Sequence, residues 1–182
     1  HGQDIFLTEA LTLEMKGAIS DSVADDKPFF AYMSHYAVHG PWHSDPRFAD
    51  NYVNSGKSVE ENAFATLVEG MDKSLNDLLD HIEALGQAEN TLVFFIGDNG
   101  SAAPHPNKDS SFPLRKRKGF SYEGGTRVPC IISWAKQSAT HPNQLLHPIT
   151  PSLIDGQFAR LYDVFPTIMS VAGVEQPSGH IV

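Results

Sequence analysis

The chain has 182 residues, enough for one domain with a sizeable core or for a large part of a bigger one. A hydrophobic content of 41% with 19% charged residues marks a globular rather than a disordered chain, and no apolar run nears the roughly 20 residues that a bilayer requires. The 22 acidic against 13 basic residues give no overall positive field for nucleic acid, and one cysteine excludes an intramolecular disulfide and any zinc cluster built on thiolates.

In chain order, residues 8–23 repeat Leu11, Met15, Ala18 and Ile19 at helical spacing, with Thr8 as the expected N-cap. Asp25-Asp26-Lys27-Pro28 stops that helix, and residues 29–33 read as a short apolar strand. The next helix is the most strongly patterned. Ser58 and Glu61 form a capping box, Phe64, Leu67, Val68, Met71, Leu75, Leu78, Leu79, Ile82 and Leu85 trace one apolar face, and Gly86 supplies the stop. Residues 92–96 make a second strand, residues 100–119 a long polar stretch, and residues 128–134 a third strand, in which Cys130 is expected to be a buried thiol. Residues 159–172 read as helical, with Pro166 in a first turn or at a kink and Gly173 at the end. Helices alternating with uninterrupted apolar strands predict an α/β fold whose mostly parallel sheet is flanked by helices on both faces. Sites in such sheets gather at the carboxyl ends of the strands.

Three clusters sit at those ends. Asp98-Asn99 follows the strand at 92–96 between Gly97 and Gly100. Alone this is a common turn; at the end of a buried strand its two side-chain oxygens suit a hard cation such as Ca²⁺, which takes 6–8 ligands and so needs others from elsewhere. His35, His39 and His43 are spaced by four, but Gly40-Pro41 breaks any helix that would set them on one face for zinc. A loop histidine acting as general acid, or as donor to an anion, is the better functional reading, and histidines bonded to backbone the plain one. The third cluster runs from Arg115-Lys116-Arg117-Lys118-Gly119 through Glu123-Gly124-Gly125 to Arg127. It is either a solvated charged loop or an ammonium on a glycine-flexed turn pointed at an anion. Taken together, the clusters suggest a cation and positive donors around a sulfate or phosphate.

These residues resemble the formylglycine-dependent sulfatases (arylsulfatase type) of the alkaline phosphatase-like superfamily. Phe29-Phe30-Ala31-Tyr32 through His39-Gly40-Pro41 is similar to their "PFF…H-x-P" segment, and Val93 to Gly100 to their "FTSDNG" strand. Lys118-Gly119 through Arg127-Val128-Pro129 resembles their "K-G-x-x-x-E-G-G-x-R-x-P" element, and Asp163-Val164-Phe165-Pro166-Thr167 their "D-x-x-P-T" helix. The segments keep the family's order over nearly the whole chain. The resemblance implies an alkaline phosphatase-like fold, Ca²⁺ on Asp98 and Asn99, and His39 and Lys118 on the substrate's sulfate group, one of them assisting departure of the alcohol. Arg127 would hold the Glu-Gly-Gly turn. His105, on the polar stretch with Asn107, is a candidate substrate contact, and the loop at 42–57 is a second place to look.

Two family features have no counterpart here. These are the aspartate pair that completes the Ca²⁺ shell and the "C-x-P-S-R" cysteine that becomes formylglycine; Cys130 lacks the required Pro and Arg offsets. Residues 1–182 are therefore expected to be the C-terminal portion of a sulfatase catalytic domain, without its nucleophile-bearing half or its small C-terminal subdomain. The fragment itself would be inactive, with weak or no Ca²⁺ binding. The intact enzyme would cleave sulfate esters of a sulfated sugar or aryl compound and would be periplasmic or secreted. Two other readings stand beside it. One is a phosphatase or phosphodiesterase of the same superfamily, with a Thr or Ser nucleophile upstream. The other is a non-catalytic binding module, in which the basic run holds a partner and Asp98-Asn99 is a structural turn.

Overall fold

A computed structural model describes residues 4–103, 111–150 and 159–179 of the chain. It divides into two compact units, residues 1–137 and 138–182. In the first, α1 (Leu7–Ala24) and α2 (Val59–Ala84) carry the core. Ile19, Leu78, Ile82 and Ala88 are buried together, with Met15, Phe29, Met33, Leu85 and Ala135 packed against them. Thr12 Oγ1 meets Ser74 Oγ at 2.6 Å and Ser20 Oγ meets His81 Nε2 at 2.8 Å, so the two helices run in the same direction.

At α2 the predicted ends are present, while Val68 of the expected apolar face is exposed. Ser58 Oγ accepts from Glu61 N at 3.2 Å, and Glu61 Oε2 accepts from Ser58 N at 3.0 Å. Gly86 closes the helix at φ +73, where a side chain would be strained. The start of α1 differs from expectation. Phe6 is its N-cap residue, with no side-chain cap, and Thr8 lies inside the first turn, buried, its carbonyl accepting from Thr12 Oγ1 at 2.7 Å. The buried face of α2 also contains small and polar residues that an apolar pattern omits. Thr66 Oγ1 accepts from Asp45 N at 2.8 Å, and Gly70 leaves room for the fully buried Asp45 carboxylate; a Cβ there would lie 2.9 Å from Asp45 Oδ2. Asp45 accepts from the Arg47 backbone N and guanidinium, and Arg47 also pairs with Glu9 of α1. This chain of bonds pins the long connection between the helices.

The described strands do not show the expected parallel sheet. β1 (Leu92–Ile96) and β2 (Cys130–Trp134) pair antiparallel, Leu92 opposite Trp134 and Ile96 opposite Cys130, and they are the two members of the sheet among the described residues. Unbroken apolar runs report burial, not direction. Direction follows from the connection, and between β1 and β2 the described residues form only α3 (Glu123–Thr126), with no crossover helix among them to return the chain parallel. Residues 29–33 join no ladder. Phe29 and Met33 face the core, while Phe30 and Tyr32 remain 73% and 79% exposed. Cys130 is exposed rather than buried, as are its neighbours Ile131 and Ile132, whose side chains alternate between the two faces of β2, so both faces are open here among the described residues.

The second unit holds α4 (Pro142–Leu146) and α5 (Val164–Val171), preceded by a 3₁₀ turn at Leu161–Asp163. Pro166 falls in the first turn of α5, where its missing N–H costs nothing. Among the described residues, no helix is long and apolar enough to cross a membrane.

Candidate active site

β1 ends at Ile96, and the ladder is continued by Gly97 N donating to Pro129 O at 3.0 Å. The chain then turns through Asp98 and Asn99. Asp98 is exposed, and its carboxylate has no hydrogen bond or ion pair among the described residues. Asn99 Nδ2 donates to Gly100 O at 3.0 Å, which leaves Oδ1 as the outward acceptor. Two hard oxygens at a strand end therefore fit part of a Ca²⁺ shell and not a whole one. No group of three or more His, Cys, Asp or Glu side chains that would hold a metal occurs among the described residues.

The basic arm comes back against this strand end through backbone bonds. Lys118 N donates to Ser101 O at 3.0 Å, Gly100 N to Gly125 O at 3.0 Å, and Gly124 N to Arg115 O at 2.9 Å. The arm's cations are not equivalent. Arg115 lies over the Tyr122 ring at 3.8 Å and Lys116 over Phe120 at 5.2 Å, both within the loop itself. Arg127 pairs with Glu123 at 3.2 Å across α3. Lys118 is half-buried, and its ammonium has no partner among the described residues. A lysine in that state is an open position for an anion.

His39 sits in a separate loop. Its backbone N–H donates to Tyr36 O at 2.9 Å, its ring lies 5.7 Å from that of Tyr36, and Nδ1 is 2.6 Å from Gly40 O. A carbonyl only accepts, so Nδ1 carries the proton and Nε2 is left as the working atom. Trp42 Nε1 donates to Val38 O at 3.2 Å, and its ring stands edge-on to Phe64 of α2, which anchors the loop to the helix. All of the hydrogen bonds and ring contacts of His39 stay within its own loop; the backbone bonds that join Lys118 to the Asp98-Asn99 turn do not include it. His35, on the same loop, is half-buried with Nδ1 unpartnered, and burial holds its imidazole below the ordinary range. His105 and Asn107 lie outside the described residues. Ser101 and Ser111, which tie the arm down, carry no sequence signal, since a serine bonding through its carbonyl or to a distant one leaves no spacing to read. The glycines around them do.

The sequence model of the Sulfatase family matches residues 5–174 of the chain. The chain belongs to the sulfatase family. A sulfatase of Formosa agariphila is 34% identical over 94% of the chain and 31% of its own length. The steryl-sulfatase of Mus musculus is 31% identical over 86% of the chain and 23% of its own. This sulfatase chain thus spans less than a third of the length of these curated relatives. Among solved structures, Ps i-CgsB in complex with k-i-k-neocarrahexaose superposes with a TM-score of 0.77 at 24% identity, covering 97% of the chain and 36% of that protein. The α/β sulfatase fold, alkaline phosphatase-like, is accordingly that of this chain.

Proposed function

We propose that the chain is the C-terminal portion of a sulfatase catalytic domain whose activity is hydrolysis of a sulfate ester. The observation that carries this reading is the pair of backbone bonds, Lys118 N to Ser101 O and Gly100 N to Gly125 O, beside an ammonium with no partner among the described residues. In this reading Lys118 and a Ca²⁺ held partly by Asp98 and Asn99 take the charge on the sulfate oxygens. A formylglycine on a segment outside these residues supplies the nucleophile. His39, its Nδ1–H bonded to Gly40 O, acts from Nε2: as the imidazolium it carries a second proton there, gives that proton to the departing alcohol oxygen and is left neutral. His105 belongs to the same proposal as a contact to the rest of the substrate. The substrate class is a sulfated sugar or aryl compound. A steryl-named relative and a hexaose-bound structural neighbour already differ in what they hold, which puts selectivity in loops rather than in the sulfate-binding groups. The proposal extends to an exported protein, periplasmic or secreted.

The same reading assigns residues 29–33 to a mostly parallel sheet completed by polypeptide outside this chain. Support comes from Phe30 and Tyr32, whose large side chains are left in water. The test uses the full-length polypeptide with 4-nitrophenyl sulfate. Hydrolysis is expected, and Lys118→Ala should lower kcat by about 10²–10³, the usual scale for losing one charge-stabilising donor. Hydrolysis of 4-nitrophenyl phosphate in its place would assign the chain to phosphoryl transfer. A Lys118→Ala variant with unchanged kcat would remove Lys118 from the site.

A further inference from the structure

We propose that Gly100, Gly124 and Gly125 are positioning residues, whose bare backbones form a clasp that sets Lys118 against the Asp98-Asn99 turn. This inference rests on the reading of Lys118 as the anion-binding cation. A Cβ added at Gly100 would lie 2.0 Å from Gly124 O, one at Gly124 2.0 Å from Lys116 O, and one at Gly125 2.0 Å from Phe120 O. Real Cβ contacts essentially never fall under 3.0 Å, and each obstacle is backbone rather than a flexible side-chain tip. Strand end, helical turn and basic arm are therefore stacked three main chains deep with no side chain between them.

The placement of the obstacles gives the clasp its purpose. Lys116 O and Phe120 O lie two residues before and two after Lys118, so the glycines of α3 press on both flanks of that lysine. Gly100 presses on α3 from the other side and immediately follows Asp98-Asn99. A methyl group at any of the three would part the strand end from the arm, and with them the cation site from the ammonium. Ser111 Oγ donates to Gly124 O at 2.8 Å and fastens the middle layer. Gly119 differs: its φ of +90 requires glycine, but nothing lies within 4 Å of its Cβ position, so it serves the turn and not the clasp. Glycines needed only for folding would have no reason to converge on the residues bracketing one lysine that has no partner among the described residues.

The test uses backbone NMR of the 182-residue chain, reading amide exchange at Lys118 and the shift of Lys118 signals on titration with inorganic sulfate. Gly124→Ala should speed exchange of the Lys118 amide about tenfold, the scale of one lost backbone hydrogen bond, and weaken the sulfate response about as much, while amides of α1 and α2 keep their protection. Ser111→Ala, which adds no clash, should do the same about threefold. It decides the matter alone if Gly124→Ala does not fold. Wild-type exchange and sulfate response in Ser111→Ala, or a Lys118 amide unprotected in the unaltered chain, overturns the clasp. Faster exchange in the variants with no sulfate response in any form keeps the clasp and removes the anion reading instead.

Discussion

His35 shows what one buried imidazole does to the pH dependence of the fold. Its Nδ1 has no hydrogen-bond partner, and desolvation lowers its pKa from the ordinary value of 6.5. Between the folded and unfolded values the unfolded chain holds the extra proton, so stability falls as pH drops through 6.5 and levels off below the folded value. Urea denaturation midpoints should decline from about pH 7.5 to about pH 5.5, and His35→Gln should flatten that decline. A slope identical in the variant would assign the effect to other groups. At this scale the sequence was readable for chemistry and unreadable for partnership. Four consecutive cations, residues 115–118, look alike as letters. Only coordinates separate Arg115 and Lys116, stacked on aromatic rings of their own loop, from Arg117 and Lys118, which are not.

Among the elements, the two ends of α2 were legible to the residue because their signals are local. The capping box and the stop at Gly86 both act within a turn or two of the backbone they control. Ser58→Ala should cost about 1 kcal/mol in chemical denaturation, with the Glu61 half of the box lost as well. No change would mean that the tertiary contacts of α2 hold its first turn without a cap. What the pattern missed on the same helix, Thr66, Gly70 and Ser74, is buried for reasons that lie far away in sequence: Asp45, its carboxylate, and Thr12. Strand direction was illegible for a related reason. A run such as Leu92–Ile96 records how much water is excluded, whereas the antiparallel pairing with Cys130–Trp134 goes with a connection that has no crossover helix among its described residues. The candidate site divides the same way. Asp98, Asn99, His39 and Lys118 announce themselves by residue type and by strand ends. The glycine packing that joins two of these segments becomes visible only when the missing Cβ atoms are built.

For the whole molecule, the controlling fact is coverage: nearly all of this chain aligns with less than a third of each curated relative. On the proposed reading, the purified 182-residue chain should show no turnover of 4-nitrophenyl sulfate in a colorimetric assay, and calorimetry should show no micromolar Ca²⁺ binding, two oxygens being too few for that ion. Turnover by the chain alone would mean that a nucleophile lies within these residues. Micromolar Ca²⁺ binding that survives Asp98→Ala would move the metal elsewhere. The exposed Cys130 has a practical consequence for all of these measurements. It is the chain's single thiol, it faces Ile96 across the ladder, and it follows the Pro129 carbonyl that binds Gly97. A maleimide dye attached there would sit one residue from the bend that carries Asp98 and would report optically on anything arriving at it. The same sulfur also makes air oxidation a route to covalent dimers, so reducing agent belongs in every buffer until the label is on.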